Sequence, residues 1–352
     1  MLHRRNLVAT ILATLLCGSG CSQLAHQTVP AVPGTFWQSS LLSSEKKPLL
    51  FVGGAELSEY QLGSSKALRS VKLHYFASAI ALDRFGNVSV LENYGSGATL
   101  IQVYDARDLT LLREITYGVP ASDLATDRDG YLYVSVDGSL YVYSRGGMRL
   151  SYHLRRFPAG PLAFDSSGKL YTGNAQVGRV IAIYAPTNIR GRVKFLRDIH
   201  HGVYAPVAFA FGPSDELFVA NWPGGNPPLG RPSISVFAAG GSKPIRRTFE
   251  GLALPDSLAV DSKGRLYAAN SNIYGVPPWH SWVSIYGPGD THPIGKIARG
   301  HGCLPNLAID ESDNLYVANC GDVAVYSPGG AKLLYKIPKH MKGAVALAIG
   351  SP

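Results

Sequence analysis

The side chains best suited to chemistry in this sequence are histidines and aromatic residues concentrated in a few loop segments. Imidazole can bind a metal ion or transfer a proton, and aromatic rings with a few polar groups commonly line ligand pockets. We therefore predict a ligand pocket built from these residues. The predicted pocket residues are His200, His201, Trp222, Tyr274, Trp279, His280, Trp282 and His301.

Two other interpretations of the same residues remain open. The tryptophans and the neighbouring prolines can simply pack long loops shut, with the histidines as ordinary polar loop residues. Imidazoles from different loops can also bind zinc or a similar ion. The sequence contains no His-x-His or HExxH spacing, however, and it therefore predicts no metal ligands.

The elements that would position these residues come from an internal repeat. The stretch "LAVDSKGRLYAAN" at 258–270 joins two apolar runs through an Asp-x-x-Gly turn, which is typical of a tight hairpin. Related stretches include "LATDRDGYLYVSV", "LAFDSSGKLYTGN" and "LAIDESDNLYVAN". Successive copies lie 38 to 49 residues apart, and a third and a fourth short strand follow each hairpin. Four short strands per repeat predict an all-β fold, the β-propeller.

The two ends of the chain predict the number of blades. The segment "ALAIG", which contains Ala348, matches the first strand of a repeat and has no second strand after it. Residues 49–72 match a second, third and fourth strand and have no first strand before them. Together they would form one composite blade that closes the ring and leaves no free edge. We predict a seven-bladed propeller; a six-bladed ring with an extra terminal strand is the alternative.

The blade map places the predicted pocket on one face. Loops that join blades and loops between second and third strands share a face of a propeller. The second kind is short in most blades but expands to "NWPGGNPPLGRPS" and "NSNIYGVPPWHSW" in blades five and six. A site is built where otherwise equivalent repeats differ. His74 falls on the same face, further around the ring.

The recurring phrase LA-Φ-D-x-x-G-x-LYVAN, followed by VYxPGG, resembles the NHL-type repeat and related bacterial propellers, including YVTN-type proteins. The resemblance covers nearly everything from residue 49 onward. It implies the fold, which hosts many unrelated functions.

Two enzyme groups within the broader gluconolactonase and TolB-like propellers set expectations for this sequence. Gluconolactonase-like propellers hold a divalent metal with carboxylate and amide ligands, and Glu56, Glu92 and Asp137 are candidates by position although no motif selects them. Virginiamycin-lyase-like propellers use histidines and a glutamate. In this sequence no glutamate stands beside the histidines of the long loops.

The N-terminal segment predicts export. Residues 1–20 combine Arg4 and Arg5 with an apolar run that is too short to cross a bilayer. The small residues before Cys21 resemble those of a bacterial lipoprotein signal, which implies that Cys21 becomes the lipid-modified first residue. A secretory signal without lipidation is the alternative.

The residue after Cys21 and the segment that follows it predict where the protein is retained and how it is tethered. Ser22, rather than Asp, implies by the same resemblance retention in the outer membrane. Residues 21–47 are rich in Ser, Gln and Pro and would form a flexible tether. The propeller would then occupy residues 48–352, in the cell envelope or facing the periplasm.

Two further cysteines lie close together in the predicted seventh blade. Folding the "NLAIDESDNLYVAN" hairpin about Ser312 places Leu304 opposite Cys320, one residue from Cys303. An exported protein permits a Cys303–Cys320 disulfide, which would staple this blade. Two unpaired buried thiols are the alternative.

The formal net charge of +9 suggests anionic partners, but the position of the charges gives another explanation. Many basic residues fall on the predicted fourth strands, which form the outer rim. Charged edge strands prevent edge-to-edge aggregation. No interleaving of basic and aromatic residues marks a nucleic-acid groove, so we predict no nucleic-acid partner.

Together these features predict a membrane-tethered, exported propeller that acts as a non-catalytic binding or scaffold module through one face. The expected ligand is a protein, a glycan or a small molecule of the cell envelope. We expect a monomer without a cofactor. The alternative is a metal-dependent propeller enzyme, either a lactonase-like hydrolase or a lyase.

Overall fold

Seven antiparallel sheets of four strands each form a β-propeller in a computed structural model of the chain. The structure describes residues 47–93, 97–158, 160–174, 179–187, 192–222, 231–272, 280–301, 306–319, 321–338 and 346–351. The predicted export signal, Cys21 and nearly all of the tether lie outside these residues, as do Cys303 and Cys320. The all-β, seven-bladed prediction is confirmed.

The strands follow the chain from the inside of each blade to the outside, except in blade one, whose innermost strand comes last. Blade one consists of β28 (Ala346–Gly350), β1 (Leu49–Gly53), β2 (Glu56–Gln61) and β3 (Ala67–Lys72). Blade two consists of β4 (Ala77–Leu82), β5 (Asn87–Asn93), β6 (Thr99–Asp105) and β7 (Leu111–Tyr117). Blade three consists of β8 (Ala121–Thr126), β9 (Leu132–Val136), β10 (Ser139–Tyr143) and β11 (Leu150–Arg155).

The remaining four blades keep the same order. Blade four consists of β12 (Leu162–Phe164), β13 (Leu170–Gly173), β14 (Ile181–Thr187) and β15 (Arg192–Ile199). Blade five consists of β16 (Pro206–Phe211), β17 (Leu217–Asn221), β18 (Ser233–Phe237) and β19 (Pro244–Thr248). Blade six consists of β20 (Leu254–Val260), β21 (Leu266–Ser271), β22 (His280–Tyr286) and β23 (Gly295–His301). Blade seven consists of β24 (Asn306–Ile309), β25 (Leu315–Asn319), β26 (Asp322–Tyr326) and β27 (Leu333–Ile337).

Helical structure is confined, within the described residues, to two single turns of 3₁₀ helix, Arg145–Gly147 and Pro328–Gly330. None of the helices in this part of the chain has the length and apolar character needed to cross a membrane.

The first strands of the seven blades line the axis. Each contacts the first strand of the next blade, and β28 contacts both β24 and β4, which closes the ring. Alanine recurs at the point where these strands converge, because a larger side chain would collide with the neighbouring blade. Five of these alanines are 0–4 % exposed: Ala81, Ala125, Ala163, Ala210 and Ala259.

Blade one is the predicted composite blade. β28 pairs antiparallel with β1, and the register places Leu49 opposite Gly350, Phe51 opposite Ala348 and Gly53 opposite Ala346. The last strand of the chain therefore completes the sheet that begins with the first strand.

The two faces of the ring differ in the connections they carry. We call the upper face the one with the linkers between blades and the loops between second and third strands. The lower face carries the turns between first and second strands and those between third and fourth strands. The inner strands of each sheet are buried on both sides and accordingly read as continuous apolar runs, whereas the fourth strands are largely exposed.

The core is divided into seven apolar clusters, and each cluster lies between two adjacent blades. The cluster between blades one and two, for example, joins Phe51 and Leu57 to Ile80 and Tyr104. Blades therefore stabilise each other across their faces, and no blade has a core of its own.

The repeated Asp and Tyr of the motif form one hydrogen-bonded unit at the lower face. In blade six, Asp261 Oδ1 accepts hydrogen bonds from the backbone N–H groups of Lys263 (3.0 Å) and Arg265 (2.9 Å). The hydroxyl of Tyr267 donates to Asp261 Oδ2 at 3.0 Å. The Tyr–Asp contact recurs in three further blades, as Tyr133–Asp127, Tyr171–Asp165 and Tyr316–Asp310.

Blade five lacks both members of this unit. Gly212 stands in place of the aspartate and Phe218 in place of the tyrosine. A buried tyrosine hydroxyl without an acceptor would be costly, so the loss of the aspartate favours the loss of the tyrosine.

We expect the same coupling in a double-mutant cycle in blade seven. Asp310→Gly should lower the free energy of unfolding by about 2 kcal/mol, because Tyr316 and the turn lose their acceptor. Adding Tyr316→Phe should cost less in that background than in the wild type, with a coupling of about 1 kcal/mol. Urea unfolding of the four proteins measures this, and strictly additive losses would contradict it.

Candidate functional site

The structure distributes the predicted pocket residues along the upper face of blades four to seven. His200 and His201 are exposed in the linker from blade four to blade five, and His280 is exposed at the start of β22. The backbone of His301, at the end of β23, lies directly opposite His280. The side chain of His301 and all of Tyr274 and Trp279 lie outside the described part of the chain, so the proposed pocket stays a prediction.

Trp222 and Trp282 both hold the segment that joins blades five and six. The indole N–H of Trp282 donates to the carbonyl of Gly251 and to Ser284 Oγ, each at 3.1 Å, and Lys296 Nζ lies 4.5 Å from its ring centre. The indole N–H of Trp222 donates to the carbonyl of Pro255 at 3.2 Å. These contacts favour a packing role for the two tryptophans.

A buried carboxyl group that sequence reasoning missed lies beside Trp222. Asp256, in the apolar first strand "LPDSLAV", is 4 % exposed, and Ser271 Oγ donates to its Oδ2 at 3.1 Å. Burial raises the pKa of Asp256 well above its usual range, against the opposing hydrogen bonds from Ser271 and Trp222. The sequence signal for this buried carboxyl group was an acidic residue, Asp256, within an otherwise mostly apolar first strand.

A second site emerges when equivalent positions of the blades are compared. In blade five, Asn221 at the end of β17 accepts a hydrogen bond from the backbone N–H of Tyr204 in the incoming linker, at 2.9 Å. Ser235 on β18 donates to the carbonyl of Gly202 in the same linker, at 2.6 Å. The pair secures the linker to the blade that follows it.

Blade six repeats this arrangement closely. Asn270 accepts from the backbone N–H of Ala253 at 3.2 Å, and Ser284 donates to the carbonyl of Gly251 at 2.6 Å. A fourth-strand cation, Lys296, lies opposite Ser284 in the register.

Blade two replaces all three residues of this pattern. Glu92 takes the place of the asparagine, Gln102 that of the serine and Glu114 that of the fourth-strand cation. The backbone N–H of Tyr75, in the linker from blade one, donates to Glu92 Oε2 at 2.6 Å. The linker is still secured, but by a carboxylate rather than an amide.

The Gln102 amide organises the residues around it. Its Oε1 accepts a hydrogen bond from the Tyr104 hydroxyl at 2.6 Å, so its Nε2 supplies the donors. Nε2 donates to Glu114 Oε1 at 2.7 Å and lies 3.0 Å from His74 Nδ1. The contact with His74 is a hydrogen bond when Nδ1 acts as the acceptor, as it does in the tautomer that carries its proton on Nε2. We call His74, Glu92, Gln102, Tyr104 and Glu114 the blade-two cluster.

Glu92 is the buried acid of this cluster. Its side chain is fully buried, and its Oε1 has no hydrogen-bond partner among the described residues. Burial raises the pKa of Glu92 from 4.5 to about 7, although the Tyr75 N–H and the nearby His74 oppose the shift. Burial also raises the pKa of Tyr104, and the charges of Glu92 and Glu114 add to that effect.

The blade-two cluster opens to solvent at its outer end. The His74 side chain is 60 % exposed and that of Glu114 is 44 % exposed, with 4.0 Å between Nδ1 and Oε1. Two aromatic residues continue the linker toward the axis, Tyr75 at 36 % and Phe76 at 55 % exposure. The arrangement combines an exposed carboxylate, an exposed imidazole, a buried acid and accessible aromatic faces.

Sequence reasoning found parts of this cluster but not their association. Glu92 was a candidate metal ligand by position, and His74 was placed on the correct face. The signal that would have joined them is the aligned repeat, in which Glu92 alone replaces the recurrent asparagine by an acid.

The metal-binding set implied by gluconolactonase-like propellers does not fit the described residues. They contain no group of three or more His, Cys, Asp or Glu side chains placed to hold a metal ion. Glu56 lies at the start of β2, and Asp137, with φ of 35°, lies in the turn between β9 and β10. Neither joins Glu92 in such a group, and we derive no step through a metal.

Comparison with known proteins supports the fold. No family model matches the chain, and no curated protein matches it. A protein of unknown function from Desulfotomaculum acetoxidans superposes with a TM-score of 0.67 at 15 % identity, covering 86 % of this chain and 99 % of its own. A candidate 6-phosphogluconolactonase from Bacteroides uniformis gives 0.66 at 13 % identity, covering 86 % and 100 %. A second, from Bacteroides fragilis, gives 0.65 at 15 % identity, covering 88 % and 100 %.

These similarities support the seven-bladed propeller fold. At such low identity they carry the fold alone, so function must be argued from the residues of this chain.

Proposed function

We propose that this protein is an exported propeller, anchored through a lipid on Cys21, that binds a small amine-bearing ligand of the cell envelope on its upper face. The NHL-like repeat and the lipoprotein-like signal support export and anchoring. The blade-two cluster supports the binding role. Blades five and six both secure the incoming linker with an asparagine and a serine, whereas blade two has Glu92 and Gln102 at these positions and Glu114 in place of the fourth-strand cation.

The chemistry of the cluster selects the class of ligand. An ammonium group would pair with the exposed carboxylate of Glu114, and the negative charge of the buried Glu92, once that residue is ionised, would add to the attraction. Tyr75 and Phe76 offer ring faces to the C–H groups of a sugar or an aliphatic chain. An amino sugar is the simplest molecule that combines these features.

Titration calorimetry with glucosamine, with glucose as the uncharged comparison, tests this proposal on the full chain in detergent. Glucosamine should bind, glucose should bind at least about tenfold more weakly, and affinity should fall below about pH 7 as Glu92 takes up a proton. Four titratable groups face Glu92 or its neighbours and belong in the interpretation: His74, Tyr75, Tyr104 and Glu114.

The matched variants separate this site from general charge. Glu92→Asn with Gln102→Ser restores the pattern of blade six and should abolish glucosamine binding. Glu250→Gln removes an exposed carboxylate in the linker to blade six and should leave binding unchanged. Equal affinities in the wild type and the double variant would rule out the blade-two cluster as the site.

One observation favours an enzyme as the second candidate. The imidazole of His74 lies near Glu114 and Glu92, and an imidazole beside a carboxylate is a combination that can support proton transfer. Elemental analysis of the purified protein, together with an assay of δ-gluconolactone hydrolysis, separates the candidates. Turnover that is lost in Glu92→Gln would overturn the binding-module proposal, and turnover lost on chelation would also assign it to the metal-dependent class.

A further inference from the structure

The positive charge of this protein is concentrated in blades four and five. Residues 175–249 contain nine Lys and Arg against three Asp and Glu, an excess of six within a total of nine for the chain. Two of those acids, Asp215 and Glu216, lie in the turn between β16 and β17 on the lower face. The upper face of this junction is therefore left with one nearby acid of the segment, Asp198 on β15.

Two arginines from different blades meet at one tyrosine there. Arg179, just before β14 of blade four, has its Cζ 4.9 Å from the ring centre of Tyr204 in the linker to blade five. Arg247, on β19 of blade five, has its Cζ 5.8 Å from the same centre and 5.0 Å from that of Phe249. Asn221 fixes Tyr204 by accepting from its backbone N–H at 2.9 Å.

The contacts of Arg247 leave part of its guanidinium unused. Nη2 donates to Ser233 Oγ at 3.3 Å, while Nε has no hydrogen-bond partner in the described part of the chain. Stacking between aromatic rings fixes the plane of a guanidinium and leaves its N–H edge available for a bidentate acceptor.

Within the described part of the chain, no carboxylate pairs with either arginine. Among the described residues, neither Arg179 nor Arg247 forms an ion pair. Two guanidinium groups that share one ring without a counter-charge form an electropositive site that favours an anion.

We propose that Arg179 and Arg247 form a binding site for a phosphate group on the upper face, at the junction of blades four and five. Guanidinium groups match phosphate oxygens in a bidentate manner, and two of them can share one phosphate. This site is separate from the blade-two cluster and does not depend on the function proposed for it. The phosphate can belong to a lipid headgroup or to a soluble ester.

The test measures binding of defined phosphate probes to the full chain carrying Cys21→Ser, so that no lipid anchor contributes. Calorimetry with glycerol 3-phosphate tests for a soluble ester. Flotation with phosphatidylcholine vesicles, with and without phosphatidylglycerol, tests for a headgroup. Binding to either probe that weakens with added salt is the expected result, and the stronger probe identifies the source.

The variants include a matched control within the chain. Arg179→Gln and Arg247→Gln should each weaken binding by roughly tenfold or more, because each removes charge-assisted hydrogen bonds. Lys296→Gln removes a cation stacked on Trp282 at the equivalent position of blade six, and it should leave binding unchanged. Arg179 is exposed, so its variant tests the site even if Arg247→Gln fails to fold.

Three outcomes would overturn the proposal. They are the absence of binding to both probes, undiminished binding by Arg179→Gln, and an equal loss in Lys296→Gln, which would indicate attraction to net charge rather than a site.

Discussion

Deletion of residues 346–352 is expected to abolish cooperative folding of the propeller. The deletion removes β28, the inner strand of blade one, and with it the five residue pairs that join it to β1. It also exposes Phe51 and Val52, both fully buried, and opens the clusters that blade one shares with blades two and seven. The loss should exceed about 5 kcal/mol, which is comparable to the whole stability of a typical domain.

Circular dichroism and urea unfolding measure this effect, and a circular permutant provides the control. The permutant joins residue 351 to residue 47 through a Gly/Ser linker and opens the chain between Gly240 and Gly241, in the exposed turn before β19. It keeps every strand and should unfold cooperatively near the wild-type midpoint. A deletion variant that unfolds at the wild-type midpoint would show that β28 does not hold the ring closed.

Glu92→Gln should stabilise the protein at neutral and alkaline pH and have little effect in acid. The folded-state pKa of Glu92 is raised from 4.5 to about 7, so its protonated form favours folding. That contribution is complete below about pH 4.5, falls as the pH rises to about 7 and is absent above it. A shift of this size corresponds to about 3 kcal/mol. The glutamine variant mimics the protonated acid at every pH and removes this dependence.

Denaturant unfolding at about pH 5 and about pH 8 measures the difference between the two proteins. The gain in the variant should approach 3 kcal/mol at the higher pH and become small at the lower one. Glu250→Gln, which changes an exposed carboxylate, should show no such dependence. An equal effect of Glu92→Gln at both pH values would mean that Glu92 is not buried in a raised-pKa state.

A protein that keeps a costly acid where four of its other blades keep an asparagine has given up stability at this position. Sites that bind or react are commonly less stable than the surrounding scaffold allows. The stability lost at Glu92 is the physical reason for seeking a functional site in blade two.

The sequence was sufficient for the architecture because the fold repeats. The turn aspartates, the inner alanines such as Ala259 and the unmatched strand at Ala348 specified the strands, the ring and its closure. Each of these signals is local or recurs at a similar spacing. Where the strands of one copy were ambiguous, the other copies therefore indicated their positions.

The sites were harder to predict because they join residues that are far apart in the chain. His74 and Glu114 are far apart in the chain, and only the ring brings the linker of one blade against the fourth strand of the next. Arg179 and Arg247 meet in the same manner at Tyr204. The composition of the long loops in blades five and six drew attention to tryptophans, whereas the structure uses Trp222 and Trp282 to hold backbone.

The order of strands in blade one also determines the face of the propeller at which the described chain enters and leaves. Leu49 lies opposite Gly350 at the lower face, so the described chain enters and leaves the propeller on the side away from the linkers. A support, a fusion partner or a bilayer attached through either end would hold the molecule by its underside. The blade-two cluster and the arginine pair would then point outward together, toward whatever passes over the surface to which the protein is attached.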